Sequence, residues 1–247
     1  MGRHRSVSRS RNLAGVLAFA IVLGAPTHGE AREPSVVMAP GSVVDGTTQA
    51  EYAARWWQWA RRVPPGVQPF QDPTGAQCGL NQQGDVWFLA GTAGTADIVR
   101  HCTMPTKTYV FLPIINMIGN AQPGSPMTCE QAKAFARANN DHLAGAEVSI
   151  DGKPVEDISR FRVASDCFDS FKFARYLSQA DSYFPSATDG YWLMLRPLPA
   201  GLHRIRVRAH YDNPGHVLGD LEQVFEYQLQ VQDPQPKPES VDPQVYI

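Results

Sequence analysis

The strongest constraint on the fold is a strict alternation of apolar and polar residues in the C-terminal third of the chain. In residues 203–211 every second side chain is apolar, and residues 225–231 repeat the pattern. Successive side chains of a β-strand point to opposite faces, so each segment predicts a strand with one buried and one solvated face. We expect the two strands to form a hairpin.

Further strands are predicted at 86–89, 98–103, 109–115, 148–155, 161–163 and 191–196. Residues 86–89 are apolar on both faces, as in a central strand. Residues 98–103 and 109–115 could pair around a turn at 105–107, and Pro113 predicts a bulge or an edge position in the second of them. The Asp151-Gly152 dipeptide predicts a tight turn within 148–155.

Two helices are expected near residues 48–63 and 128–143. Thr48 with Glu51, and Thr128 with Gln131, have capping-box spacing. Together these elements predict a mainly β fold, an antiparallel, jelly-roll-like β-sandwich with two helical insertions, in a single domain over residues 32–232.

The N-terminus predicts export. Four arginines precede an apolar run at residues 13–25, and a small-x-small cleavage pattern follows, so residues 1–31 are interpreted as a signal peptide. The apolar run is short for a membrane-spanning helix, which disfavours an uncleaved anchor and stable membrane insertion after cleavage. A periplasmic or secreted protein is expected. Residues 233–247 are expected to form a flexible, proline-rich tail.

An exported chain with an even number of cysteines favours disulfides. Four cysteines allow three pairings, of which we favour Cys78 with Cys102 and Cys129 with Cys167. A zinc site is the alternative, but the chain lacks a Cys-x-x-Cys knuckle. We expect no metal and no cofactor.

Charge limits the choice of partners. Removing residues 1–31 takes away four arginines and one glutamate from a chain of net charge −2, which leaves −5. An acidic protein is a poor partner for nucleic acid. Charge does not restrict a small polar ligand, and the oligomeric state stays open.

Several short motifs resemble those of a set of exported bacterial proteins with no assigned function. The matching segments lie at residues 72–78 (DPTGAQC), 86–92 (VWFLAGT), 100–105 (RHCTMP), 190–192 and 199–203. The resemblance implies bacterial origin and secretion, and it implies no catalytic residue.

The first predicted helix is rich in tryptophan. At helical spacing Tyr52, Trp56, Trp59 and Val63 form one stripe, which predicts a core-facing side. Trp57 lies beside that stripe and is a candidate binding residue, because an indole can stack on a sugar ring.

Three arginines form the second candidate site. Arg204, Arg206 and Arg208 would lie on the wet face of one strand, where they could hold an acidic ligand. The alternative is a solvated face that Glu226 partly neutralises across the hairpin. His203 and His210 have opposite parity on this strand, which disfavours a shared metal ion.

These features favour a non-enzymatic extracytoplasmic binding or structural module, with a glycan or other envelope material as its ligand. The alternative is a secreted polysaccharide hydrolase or lyase that uses carboxylates brought together only by the fold. Asp72, Asp85 and Asp97 are the candidates for that role. Whether the protein is an enzyme stays open at this point.

Overall fold

A computed structural model describes residues 1–2, 35–94, 97–178 and 183–234. Nearly all of the expected signal peptide and the tail from residue 235 onward lie outside this range. The described residues form a mainly β fold, with three sheets and two α-helices. The helices are α1 (Gln49–Ala60) and α2 (Cys129–Asn140). The strands are β1 (Val43–Val44), β2 (Thr47–Thr48), β3 (Val86–Phe88), β4 (Asp97–Pro105), β5 (Tyr109–Asn120), β6 (Leu143–Ile150), β7 (Lys153–Pro154), β8 (Arg162–Ala164), β9 (Ser186–Leu195), β10 (Gly201–Tyr211) and β11 (Glu222–Gln232).

The predicted C-terminal hairpin forms the centre of a five-stranded sheet, with the order β4-β11-β10-β6-β7. β10 and β11 pair antiparallel. The apolar set of each strand is buried and the polar set faces outward, as the alternation predicts. The hairpin of β6 and β7 turns at Asp151 and Gly152, both with positive φ, and this also agrees with the sequence.

A four-stranded sheet has the order β3-β5-β9-β8, and β1 and β2 form a separate two-stranded sheet. One hydrophobic cluster draws on both larger sheets. Leu112 and Leu193 enter it from the four-stranded sheet, and Val207 and Phe225 from the five-stranded sheet; all four side chains are fully buried. This shared cluster is the main core.

The strand pairing is not wholly antiparallel, which corrects the sequence prediction. β4 and β5 do not form a hairpin: they lie in different sheets. β4 pairs in parallel with β11, and β3 pairs in parallel with β5. Pairing with β11 places Cys102 and Met104 of β4 inside the main core. Burial of these alternate side chains favours the parallel pairing over a local hairpin with β5.

The prediction of a central strand at residues 86–89 is also wrong, because β3 is an edge strand. It is apolar on both faces because a second layer covers its outer side. Tyr52, Trp56 and Trp59 of α1 pack there with Phe88 of β3 and Trp192 of β9 in a second buried cluster. The stripe read from the sequence is therefore core-facing.

Both helices begin with the predicted capping boxes at Thr48 and Thr128. Their ends fall earlier than expected. Val63 lies three residues beyond the last residue of α1, and Leu143 begins β6 instead of ending α2. Among the described residues, no helix has the length and hydropathy needed to cross a bilayer.

Both disulfides join the pairs favoured from the sequence, Cys78–Cys102 and Cys129–Cys167. The first fastens the loop at residues 72–78 against β4. Within that loop Gly75 has a φ of +93°, and a Cβ there would lie 2.3 Å from the carbonyl oxygen of His101. Only glycine allows this approach, through which the loop covers the outer edge of the five-stranded sheet.

Candidate functional site

A partly open cavity of about 250 Å³ lies between α1, α2 and the loop that joins β10 to β11. We call it the Trp57 cleft. Its mouth is apolar and open to solvent, because Val217 and Leu218 of the loop are 61% and 52% exposed. The lining residues are Trp56, Trp57, Phe70, Gly91, Thr92, Ala93, Asn116, Met117, Ile118, Phe135, Val217, Leu218, Leu221 and Gln223.

Trp57 is held firmly in one wall. Its Nε1 donates to the hydroxyl oxygen of Thr188 on β9 at 3.0 Å. Its ring packs edge-on against Trp56, with 5.0 Å between centroids, and the Arg61 guanidinium lies 4.9 Å from its centroid. Because a cation already lies over the indole, Trp57 is better suited as an apolar wall than as a free platform for a sugar.

The opposite wall is fixed by a polar residue in α2. Asn139 is fully buried, and its Nδ2 donates to the carbonyl oxygen of Val217 at 2.8 Å. Its Oδ1 accepts a 3.0 Å hydrogen bond from Asn213. These bonds tie the loop to α2 beside Phe135, and they explain why an asparagine occupies the apolar arc of this helix.

A buried arginine lies behind the cleft. Arg100 of β4 is only 1% exposed. It donates to the carbonyl oxygens of Asp72 (2.6 Å), Ala90 (2.8 Å) and Gly91 (2.8 Å), and to the hydroxyl of Tyr227 (3.1 Å). The guanidinium thus fixes two irregular segments that supply the Phe70 and Gly91 sides of the cleft.

Two amide side chains bring polarity to the cleft. The Oε1 of Gln223, on β11, accepts from the amide of Thr92 at 2.8 Å. The Oδ1 of Asn116, on β5, is buried and has no hydrogen-bond partner among the described residues. An apolar cavity with a few convergent polar groups is typical of a ligand site.

The base of the cleft is one edge of β5. β3 pairs only with Tyr109–Phe111, whereas β9 pairs with β5 as far as Asn120. Beyond Phe111 no described strand pairs with the second edge of β5. The β9 ladder shifts between Pro113 and Ile115, so the bulge predicted from Pro113 is present, although β5 is a central strand at its start.

The three arginines lie outside the lining of the Trp57 cleft, on the solvent face of the five-stranded sheet. Arg204 contacts Glu226 at 3.0 Å, and Arg208 contacts Glu222 at 2.9 Å. Arg206 forms no ion pair with a described residue. The contacts favour a solvated, partly neutralised face, and they do not bring the arginines together with Trp57.

The candidate carboxylates lie on different elements of the fold. Asp72 organises its own loop: its carboxylate accepts from the amides of Thr74 (2.8 Å) and Gln77 (2.6 Å). Asp85 precedes β3 and Asp97 begins β4, so they belong to different sheets. The part of the chain that the structure describes contains no cluster of histidine, cysteine and carboxylate groups that could hold a metal ion.

One ion-pair cluster around a buried carboxylate was not anticipated from the sequence. Asp189 of β9 is 4% exposed and accepts two 2.9 Å hydrogen bonds from Arg162. Burial raises the pKa of Asp189, and the Arg162 guanidinium opposes that rise. We regard the carboxyl as ionised at neutral pH because its contact with Arg162 is bidentate. Asp141 binds the same arginine at 2.8 Å, so the cluster connects β8, β9 and the end of α2.

Comparisons with known proteins identify no related family. No protein family and no curated protein matches the sequence. Among solved structures, PbICP-C in complex with falcipain-2 has 8% identity and a TM-score of 0.27, covering 60% of this chain and 100% of that one. The cysteine protease inhibitor EhICP2 from Entamoeba histolytica has 10% identity and a TM-score of 0.24, covering 60% and 96%. Amebosin has 7% identity and a TM-score of 0.21, covering 61% and 100%. Similarity at this level does not bear on function.

Proposed function

We propose that this protein is an exported, non-enzymatic binding module whose ligand occupies the Trp57 cleft. The observation that carries the proposal is an apolar cavity of about 250 Å³ whose mouth exposes Val217 and Leu218. Open apolar surface of this kind is usually a binding site in a soluble domain.

The rest of the molecule serves as a rigid support for the cleft. We infer that the two larger sheets pack as a sandwich around the shared core, with α1 on the outer face of the four-stranded sheet. Two disulfides favour an oxidising, extracytoplasmic compartment, as does the expected signal peptide. Asn139 and Arg100 hold the walls in place, so the cleft needs little rearrangement to bind.

The lining favours an apolar group over a glycan. Sugar sites combine an open aromatic face with many hydrogen-bonding groups, whereas here Arg61 lies over the Trp57 ring and most lining side chains are apolar. The hydrolase alternative has less support, because Asp85 precedes β3 and Asp97 begins β4, and these two strands lie in different sheets.

Binding of the apolar dye 8-anilinonaphthalene-1-sulfonate tests the proposal. Wild-type protein should bind it with a saturable rise in dye fluorescence. Leu218→Asn should weaken binding, because it removes apolar surface at the mouth, and asparagine tolerates the positive φ of +54° at this position. Leu202→Asn is the matched control, since Leu202 is 68% exposed and lies outside the cleft. Equal dye binding by both variants and wild type would refute the site.

A further inference from the structure

The backbone at the base of the Trp57 cleft has unused hydrogen-bonding groups. The amide of Ala121 donates to the carbonyl oxygen of Pro185 at 3.0 Å, so odd-numbered residues after the β5 bulge direct their backbone groups toward β9. Backbone groups alternate in direction along an antiparallel strand. The N–H and C=O of Asn116 and Ile118 therefore point away from β9, toward the cleft. No described residue outside the strand ladders forms a hydrogen bond with these backbone groups.

An unused strand edge of this kind is a template for another extended chain. Two other strand edges are covered. The loop fastened by Cys78–Cys102 lies against β4, and Met38 donates to the carbonyl oxygen of Met194 at the far end of β9. The second edge of β5 instead lies between two apolar walls, which could receive side chains from both faces of an added strand.

Charge at one end of this edge is also unbalanced. Arg61 lies beside Asn120, the last residue of β5, at 3.4 Å from its Oδ1. It also donates to the hydroxyl oxygen of Ser170 at 2.7 Å. Burial lowers the pKa of Arg61 to about 10, so the group stays charged at neutral pH. No described carboxylate pairs with it, and a ligand carboxylate would complement it.

We infer that the cleft receives an extended acidic peptide from another polypeptide, which adds to the free edge of β5 as a strand. Its backbone pairs with Asn116 and Ile118, one apolar side chain enters the cavity beside Trp57, and a carboxylate reaches Arg61. This inference rests on the proposed function, because it names the class of ligand for the same cleft.

The first test uses the synthetic peptide acetyl-Ser-Leu-Thr-Val-Asp-amide as the probe, with displacement of the dye from wild-type protein as the readout. Two further peptides carry an N-methyl group on the leucine or on the threonine. Adjacent amides of an added strand point to opposite sides, so one methylation should weaken binding about tenfold and the other should have little effect. Equal effects from the two methyl groups would overturn strand addition.

The second test changes the protein edge. Ile118→Pro removes an outward N–H that the β9 ladder does not use, so the fold should persist while peptide binding weakens about tenfold. Ile118→Val keeps the N–H and is the control. Unchanged peptide binding by a folded proline variant would refute the pairing. If that variant does not fold, the methylated peptides still decide the question on wild-type protein.

The acidic group is tested with a probe in which asparagine replaces aspartate. Its binding should be weaker and less sensitive to salt than that of the acidic probe. Identical salt dependence would refute the role of Arg61.

The chain's own C-terminal residues are the competing occupant. A triple variant, Val245→Ser, Tyr246→Ser and Ile247→Ser, should bind the peptide with unchanged affinity. Tighter binding by that variant would show that the tail already fills the cleft, which overturns the assignment to another polypeptide. Dye binding without alternating N-methyl sensitivity would leave the proposed function standing, whereas absence of dye binding in the cleft would remove both.

Discussion

Arg100→Met should show how much the buried guanidinium contributes to stability. Methionine has a comparable length and no donor, so the carbonyl oxygens of Asp72 and Gly91 lose the hydrogen bond that Arg100 gives them. Ala90 keeps its bond from the Tyr227 hydroxyl at 3.0 Å. Two carbonyl oxygens left without a donor, at about 1–3 kcal/mol each, would lower the free energy of unfolding by about 2–6 kcal/mol.

Two effects reduce that range. The Asp72 carbonyl is only partly buried, so water can replace part of its lost bond. Removing a buried charge also relieves the cost of its desolvation. We therefore expect Arg100→Met to lower the free energy of unfolding by about 2–4 kcal/mol, within a total of about 5–15 kcal/mol for a typical domain.

Urea unfolding followed by circular dichroism measures the loss, with Arg208→Met as the matched control. Arg208 is exposed and paired only with a surface glutamate, so its loss should cost about 0–1 kcal/mol. Arg100→Met should also weaken dye binding, because Phe70 and Gly91 lose their common support. A change within about 0.5 kcal/mol of wild type would refute the reasoning.

The remaining predictions concern the helix, a disulfide and a carboxylate. Trp56→Ala should lower the free energy of unfolding by about 3–5 kcal/mol, because the side chain is 2% exposed. Trp57→Phe should lower it less and should mainly weaken dye binding. Equal losses of melting temperature in the two variants would contradict these different roles. Replacing Cys129 and Cys167 by serine should lower the free energy of unfolding by about 2–4 kcal/mol, which thermal unfolding would detect. Burial opposes ionisation of Asp72, but hydrogen bonds from Gln77 and Thr74 outweigh it and lower its pKa. Its stabilising contribution is therefore complete above the unfolded-state pKa of about 3.9 and is lost as the pH falls through the lower folded-state value. Asp72→Asn should flatten the acid limb of a pH–stability curve, and an unchanged limb would contradict this assignment.

Local patterns in the sequence were sufficient for the local elements. The alternation in residues 203–211 correctly predicts β10 and its buried face, and the capping boxes at Thr48 and Thr128 correctly predict where both helices begin. Each of these depends on side chains within a few residues of one another. Pairing between distant strands is different, because the edge that accepts β4 is formed by β11, more than 100 residues later in the chain.

Trp57 was a candidate binding residue because of its position beside the helical stripe, and it does line the cleft. Its partners in the cleft could not be read in the same way. Phe135, Leu218 and Asn116 come from α2, a loop and β5, and no spacing rule connects them. The burial of Arg100 was even harder to predict, because an arginine within an alternating strand usually lies on the solvent-exposed face.

The β5 bulge shows how one local irregularity creates the cleft. Without the extra residue between Pro113 and Ile115, the alternation would continue unbroken and Asn116 and Ile118 would direct their backbone groups into the β9 ladder. The bulge reverses that parity, so the same residues offer their N–H and C=O to the open side. It also turns the side chain of Asn116 toward Gly190, whose missing Cβ leaves the space it needs: a Cβ at Gly190 would lie 2.3 Å from that of Asn116. Gly190 is thus needed for the edge geometry, and Gly190→Ala should disturb both the ladder and the base of the cleft.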